Sequence, residues 1–227
     1  MAITKANPLS ETSLQVFEAV SAYAPAALSG YHAGELSRAR FASGQDVEML
    51  IYNALLSAGH SLDYNPNAHK PGADIFLPDK QGKTEDGFGI SVKTGTLNKA
   101  DRVAISGSRT TNQETHADKI AFFKDTSPDV FFLLSRSKSL STLDLLHRRL
   151  PAVTYSLIAI DGSVISYGKA SDWEMRETKR GGLNAHLDRR KYNMKITASM
   201  SGQLWIDMDL KYLPHKRFDM TIDLSNL

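Results

Sequence analysis

The sequence predicts a fold of mixed α/β (α+β) class, because strong helical and strand patterns both occur along the chain. A helical periodicity spans Ser43–Gly59, and a continuous apolar run of strand length spans Asp129–Leu134. Alternating apolar positions over Lys195–Leu210, with Ser201-Gly202 between them, indicate a β-hairpin. At 227 residues the chain is long enough to bury one hydrophobic core, so we expect a single domain over 1–227.

The N-terminal region, residues 1–42, is predicted to be helical. Apolar residues recur at helical spacing between Thr12 and Tyr23, and Pro25 is expected in the loop that follows. A second helix is predicted near His32–Arg40.

The helix over Ser43–Gly59 has clear signals at both ends. Ser43 is a preferred N-cap residue, and Gly59 suits the left-handed position that follows a helix. Its buried face is formed by apolar residues at helical spacing: Val47, Leu50, Ile51, Ala54, Leu55 and Ala58. Glu48 lies at the border of this face. A further helix is predicted over Glu114–Lys124.

Residues 136–227 are predicted to form a β-rich extension. Thr154–Ile160 and Val164–Tyr167 are expected to pair as a hairpin around Asp161-Gly162. Asp172–Arg190 is charged and broken by two glycines, so we expect a loop or a short helix there.

The composition excludes several classes of protein. The chain has no Cys, which rules out disulfides, Cys-ligated zinc and thiol catalysis. The N-terminus has no secretory signal pattern, and no apolar run approaches membrane-spanning length, so we expect a soluble cytoplasmic protein. A glycine-rich phosphate loop is also absent, and we expect no nucleotide cofactor.

Charge is distributed unevenly, although the net charge is only +2. Residues 1–134 contain 12 Lys and Arg against 15 Asp and Glu, whereas residues 135–195 contain 12 against 6. The first part is acidic, as a metal site would be, and the second carries the positive charge that attracts phosphates.

A carboxylate and a lysine are predicted to meet on one hairpin. Asp74 opens a strand, a glycine-rich and charged turn follows at 80–87, and Ser91-Val92-Lys93 lies on the returning strand. A turn centred near residue 83 or 84 places Asp74 opposite Lys93 and Phe76 opposite Ser91. Ser91 and Lys93 then share one face of the strand, while Val92 points into the apolar layer behind it. In this register the alternative acid Asp79 would sit beside the turn, opposite Phe88.

This hairpin resembles the catalytic hairpin of the PD-(D/E)xK nuclease superfamily, which includes most type II restriction endonucleases. The resemblance covers roughly residues 43–135, with the motif-bearing core at 44–93. It implies a restriction-endonuclease-like core, in which a central mixed β-sheet is flanked by helices. It also implies a Mg²⁺ cofactor, held here by Asp74, Glu48 and the Val92 carbonyl, with Lys93 orienting or activating the attacking water.

The sequence departs from the family pattern at Ser91, because an acid is usual at that position. Ser91 would hydrogen-bond a water on the metal, or simply tolerate the missing acid. A second carboxylate is therefore expected from a helix. Glu48 is the first choice, since Gly44-x-x-x-Glu48 is similar to the first motif of many family members. Glu114, or Asp118 near it, is the alternative, because some relatives with Ser-x-Lys take an acid from a later helix.

Two stretches are predicted to contact DNA. Residues 94–112 are rich in side chains that hydrogen-bond phosphates and base edges, and the cluster at 189–191 is strongly basic. The residues that we assign to DNA binding are Lys99, Arg102, Ser108, Arg109, Asn112, Arg189, Arg190 and Lys191.

The resemblance implies a sequence-specific endonuclease that cuts double-stranded DNA and leaves 5′-phosphate and 3′-hydroxyl ends. An enzyme that cuts both strands of a palindrome normally acts as a two-fold homodimer, and the extension at 136–227 would serve recognition or dimerisation. Two alternatives remain open. A structure-selective nuclease of the resolvase or repair type shares the core, although the long extension argues against it. A non-catalytic DNA-binding protein on a decayed nuclease core is suggested by Ser91.

Overall fold

The computed structural model contains two five-stranded sheets and three α-helices in the part of the chain that it describes. The described residues are 9–33, 44–63, 72–78, 87–95, 97, 101–106, 115–136, 152–166, 172–177, 179, 183–188, 192–196 and 204–224. The helices are α1 (Glu11–Ala33), α2 (Gly44–Ser57) and α3 (His116–Asp125). The predicted mixed α+β class is confirmed.

The first sheet is mixed. Its strands are β1 (Ile75–Leu77), β2 (Phe88–Gly95), β4 (Val130–Arg136), β5 (Ala152–Asp161) and β10 (His215–Asp223), in the spatial order β1-β2-β4-β5-β10. The β2 and β4 strands run parallel, and the other neighbouring pairs are antiparallel. The apolar run predicted as a central buried strand is β4, which lies in the middle of this sheet.

The second sheet is antiparallel throughout. It contains β3 (Arg102–Ser106), β6 (Glu174–Glu177), β7 (Leu183–Asp188), β8 (Tyr192–Ile196) and β9 (Leu204–Asp209), in the order β3-β9-β8-β7-β6. The predicted hairpin near the C-terminus is the β8–β9 pair, with Ile196 opposite Leu204. The two sheets interleave in sequence, since β3 joins the second sheet and β10 returns to the first.

Two hydrophobic cores cover the two faces of the first sheet. Val130, Phe132 and Leu134 of β4 lie in one core with α1 and α2. Phe131 and Leu133 point the other way, into a core shared with α3 and the second sheet. The alternation follows the two-residue period of a strand, and it explains why β4 is apolar at nearly every position.

The α2 helix ends as the sequence predicts. Gly59 has φ +84°, and its N–H donates to the Leu56 carbonyl at 3.0 Å. The His60 N–H donates to the Leu55 carbonyl at 3.0 Å, which completes a Schellman cap. This end fixes the direction in which the chain leaves α2 toward β1.

The predicted loop at Pro25 is wrong, because α1 continues through it to Ala33. A proline inside a helix costs roughly 3 kcal/mol, but Ala24, Leu28 and His32 are buried around and beyond it. Packing of this turn against the first sheet offsets the cost. The second helix predicted near His32–Arg40 begins inside α1, and residues 34–40 lie outside the described part.

Two predictions in the extension are also wrong. Asp161-Gly162 does not turn a hairpin, since β5 is followed by a 3₁₀ helix over Gly162–Ser166 and pairs with β4 and β10 instead. The segment predicted as a loop or short helix contains the β6–β7 hairpin, in which Glu174 lies opposite His186. The first error arises because β5 pairs with strands from other parts of the chain rather than with the segment after its local turn residues. The second arises because all four residues of β6 are exposed, so this strand has no alternating apolar pattern.

Candidate active site

The predicted hairpin between β1 and β2 is present, but its register differs from the prediction. Ile75 lies opposite Ile90 and Phe76 opposite Gly89, so the expected pairing of Phe76 with Ser91 is wrong by two residues. In the observed register Gly87 lies against the buried Phe76 ring, where a Cβ would overlap the ring. A shift by two residues keeps every side chain on its predicted face.

Asp74 is held at the point where β1 begins. Its N–H donates to the Ile90 carbonyl at 2.8 Å. Its Oδ2 accepts the Val92 N–H at 2.6 Å and the Ser91 hydroxyl at 3.1 Å. Since paired residues of β1 start only at Ile75, the Val92 N–H bonds the Asp74 carboxylate in place of a strand carbonyl.

Lys93 completes this group. Its Nζ lies 3.5 Å from Asp74 Oδ2, and the two side chains are 20% and 31% exposed respectively. The predicted proximity of Asp74 and Lys93 is therefore found despite the different register. The Ser91, Val92 and Lys93 donors converge on Oδ2, so within the described chain the structure assigns no partner to Oδ1.

The two faces of β2 differ in chemistry. Ile90 and Val92 are buried in the core that contains α1 and α2, as predicted for Val92. Ser91 and Lys93 face the opposite side of the sheet, next to Phe131 and Leu133 of β4. Ser91 is only 1% exposed. The Asp74–Lys93 pair thus lies where a buried strand reaches the solvent at the edge of the sheet.

The Asp74 carboxylate and the Val92 carbonyl are oxygen ligands of the kind that a small, hard cation binds. The Asp74 side chain is 31% exposed, so its carboxylate reaches the solvent, and the donors of Ser91, Val92 and Lys93 all lie at Oδ2 rather than Oδ1. The N–H and C=O of a strand residue point to the same edge, so the Val92 carbonyl faces the edge at which its N–H meets Asp74. Mg²⁺ commonly binds one or two carboxylates and keeps several waters. Among the described residues no group of three or more His, Cys, Asp or Glu is placed to hold a metal.

The second acid stays a prediction, and the structure does not place Glu48 beside Lys93, because α2 packs against the face of the first sheet opposite to Ser91 and Lys93. Glu48 is half-buried on α2, next to the fully buried Val47, which is the border position expected for it. Glu114 lies outside the described residues. Asp118 has another role, because it forms the capping box of α3 with Thr115: the Asp118 N–H donates to Thr115 Oγ1 at 3.1 Å, and the Thr115 N–H donates to Asp118 Oδ2 at 3.2 Å. Thr115 Oγ1 also donates to Asp118 Oδ2 at 2.6 Å. This hydrogen bond lowers the pKa of Asp118.

Of the residues assigned to DNA binding, Arg102 is the one that the structure describes. It lies on β3, at the edge of the second sheet, and its Nε is 3.0 Å from Asp207 Oδ1. The other assigned residues lie outside the described part: Lys99, Ser108, Arg109, Asn112, Arg189, Arg190 and Lys191. Their contacts with DNA stay predictions.

Sequence reasoning missed the donors to Asp74 Oδ2, because the hydrogen bonds of Ser91 and Val92 depend on the register. It also missed a charged network beside the segment that follows β2. The Arg217 guanidinium bonds Asp101 at 2.8 Å and Asp219 at 2.8 Å, and the bond to Asp219 is the main cause of its raised pKa. No motif marks Arg217, which lies in the last strand of the chain.

Comparison with protein-family models, curated proteins and solved structures finds no match to this chain. The family resemblance rests on the hairpin residues and on the order of the elements around them. Within its described part, the structure contains no helix long and apolar enough to cross a membrane.

Proposed function

We propose that this protein is a Mg²⁺-dependent endonuclease of double-stranded DNA, of the type II restriction class. One observation carries the proposal: Asp74, directly before β1, and Lys93, on the neighbouring β2, lie 3.5 Å apart at the edge of a mixed sheet. A carboxylate that can hold a cation, beside a lysine that can reach a phosphate, suits phosphodiester hydrolysis.

Each residue of the group has a role in this proposal. Asp74 Oδ1 and the Val92 carbonyl would hold the cation, with Glu48 as the further carboxylate. When bound, Mg²⁺ supplies charge stabilisation at the phosphate and makes a bound water more acidic. The Lys93 ammonium orients the attacking water and offsets the negative charge that builds up on the phosphate. Hydrolysis then leaves 5′-phosphate and 3′-hydroxyl ends.

DNA binding would depend on basic residues away from the hairpin. Lys99, Arg109 and the 189–191 cluster supply positive charge that offsets the acidic half of the chain. An enzyme that cuts both strands of a palindrome normally uses two active sites related by a two-fold axis. We therefore expect a homodimer on the DNA.

The test is digestion of a supercoiled plasmid of known sequence in the presence of Mg²⁺. Discrete bands support the restriction class, because they show cutting at fixed sites. A smear or simple nicking would support a nuclease that reads DNA structure instead. Absence of cutting together with DNA binding would support a DNA-binding protein on a decayed nuclease core.

The Asp74→Ala variant gives the matched control for this experiment. It should lose cleavage and retain DNA binding, because the substitution removes the metal ligand and also reduces repulsion of the phosphate. Asp79→Ala, five residues along the chain, should cut like the wild type. Cutting by Asp74→Ala at the wild-type rate would rule out the site proposed here.

A further inference from the structure

We infer that Ser91 is a positioning residue, which ties down one oxygen of Asp74 so that the carboxylate binds its cation through the other oxygen alone. This inference rests on the proposed function and deepens it. It gives Ser91 a role different from the two that the family pattern suggests, which are a hydrogen bond to a water on the metal and simple tolerance of the missing acid.

Burial shows that Ser91 acts on Asp74 rather than on a ligand in the solvent. The Ser91 side chain is 1% exposed, and its hydroxyl donates to Asp74 Oδ2 at 3.1 Å. Asp74 itself is 31% exposed, so the carboxylate reaches the solvent where the serine does not. A hydroxyl that is buried and already donating has little freedom to turn toward a cation.

The donors around Asp74 fix the orientation of its carboxylate. The Val92 N–H lies 2.6 Å from Oδ2 and the Lys93 ammonium 3.5 Å from the same atom. With the Ser91 hydroxyl, this gives Oδ2 three donors from consecutive residues of one strand. Their positive ends concentrate on Oδ2, which disfavours a cation at that oxygen and leaves Oδ1 to bind it.

A single available oxygen also selects among cations. Mg²⁺ and Mn²⁺ prefer octahedral sites and take monodentate carboxylates, whereas Ca²⁺ accepts six to eight ligands and often binds a carboxylate through both oxygens. We therefore expect the site to favour the smaller ions. A serine achieves this because it donates a hydrogen bond, which an ionised acid at position 91 could not do.

The experiment measures Mn²⁺ binding by electron paramagnetic resonance on the full-length protein, for the wild type, Ser91→Ala and Ser156→Ala. Ser156 is the matched control, because it is another buried serine of the same sheet whose hydroxyl donates to an aspartate, Asp219, at 2.5 Å. Groups that orient a metal ligand typically contribute about 10–100-fold in metal affinity. We expect a loss of that size for Ser91→Ala and wild-type affinity for Ser156→Ala.

Ca²⁺ competition provides a readout that a merely structural serine would not change. Ser91→Ala removes one of the three donors at Oδ2 and makes this oxygen more available to a bidentate contact, so Ca²⁺ affinity should fall less than Mn²⁺ affinity. Equal losses for the two ions would overturn the single-oxygen assignment. Wild-type Mn²⁺ affinity in Ser91→Ala would overturn the positioning role. Thermal unfolding without metal confirms that both serine variants are folded.

Failure of the proposed function gives a different result. If the wild-type protein binds no Mn²⁺, or if Asp74→Asn binds Mn²⁺ as the wild type does, the metal site itself is wrong and the inference fails with it. If Asp74→Asn loses Mn²⁺ affinity but Ser91→Ala does not, the metal site stands and the role of Ser91 alone is overturned.

Discussion

Lys93 Nζ lies 3.5 Å from Asp74 Oδ2; Lys93 is on β2, and Asp74 directly precedes β1, the strand that pairs with β2 in the first sheet. The pair is balanced in charge before any cation is bound. A phosphate can therefore approach Lys93 without meeting a bare carboxylate. This relationship leads to the first prediction.

Substitution Lys93→Met should reduce DNA cleavage by roughly 10²–10⁴-fold, the contribution usual for a group that assists proton transfer at the reacting atoms. Mn²⁺ affinity should stay the same or increase, because the variant removes a positive charge next to Asp74. Cleavage rates and Mn²⁺ titrations check the two parts separately. Lys216→Met is the matched control. Lys216 is exposed on β10 and lies opposite Ala159, whose side chain is on the face of the sheet opposite to Lys93.

The second prediction concerns the acid that completes the site. Glu48→Gln should lose cleavage and keep its stability, because the amide preserves the size of the side chain and its fit to the helix but cannot bind a hard cation. Glu114→Gln should cut normally. The reverse result would move the acid to the segment before α3. Normal cutting by both variants would show that neither residue supplies it.

The candidate site could be predicted from the sequence, but its hydrogen bonds could not. The order of a helical Glu48, a strand-opening Asp74 and Ser91-x-Lys93 indicates which residues should meet. The observed register places Phe76 beside Gly87, a contact that no turn signal encodes. The side chains still lie on their predicted faces because the register differs from the prediction by an even number of residues.

The fold likewise has parts that could be predicted from the sequence and parts that could not. The α2 helix follows from local signals, since periodicity, cap and terminal glycine agree. The β10 strand did carry a signal, because Phe218, Met220 and Ile222 alternate with polar residues, and the last two are buried. Its partner β5 begins some 60 residues earlier in the chain. Long-range pairing of this kind cannot be derived from the composition of either segment.

The third prediction tests the contact that joins the ends of β4 and β5. The Gly162 N–H donates to the Asp129 carbonyl at 2.9 Å, and a Cβ at this glycine would overlap the Pro128 carbonyl. Because the obstacle is backbone, Gly162→Ala should lower the free energy of unfolding by about 1–3 kcal/mol.

Gly30→Ala is the control for this substitution. Gly30 lies in α1, and a Cβ there meets no atom within 4 Å. Alanine in a helix interior is favoured over glycine by about 0.5–1 kcal/mol, so this variant should be more stable than the wild type. Urea unfolding measures both. Equal stability of Gly162→Ala and the wild type would mean that the chain near Pro128 shifts without cost.

The fourth prediction concerns pH and arises from a buried pair between α1 and β5. His32 Nε2 lies 2.8 Å from the Tyr155 hydroxyl, and the two residues are 2% and 0% exposed. Burial lowers the pKa of His32, and the nearby Arg136 lowers it further. Burial raises the pKa of Tyr155 to about 12. Both groups are therefore held neutral in the folded protein.

Stability should fall on both sides of neutral pH. In the unfolded chain His32 gains its proton near pH 6.5, before the folded protein does. The free energy of unfolding contributed by neutral His32 is thus complete above that pH and decreases as the pH falls below it. Tyr155 ionises near pH 10 in the unfolded chain, so stability decreases again as the pH rises from 10 toward 12.

Urea unfolding at pH 7.5 and pH 5.0, for the wild type and His32→Gln, isolates the histidine from the carboxylates that also titrate. The variant cannot gain a proton at position 32, so its stability should fall less between the two pH values than that of the wild type. His60→Gln, at a half-exposed position after α2, should show the wild-type difference. An identical pH dependence in wild type and His32→Gln would mean that His32 binds its proton equally well in the folded and unfolded chains, and that its burial against Tyr155 does not control the acid stability of the fold.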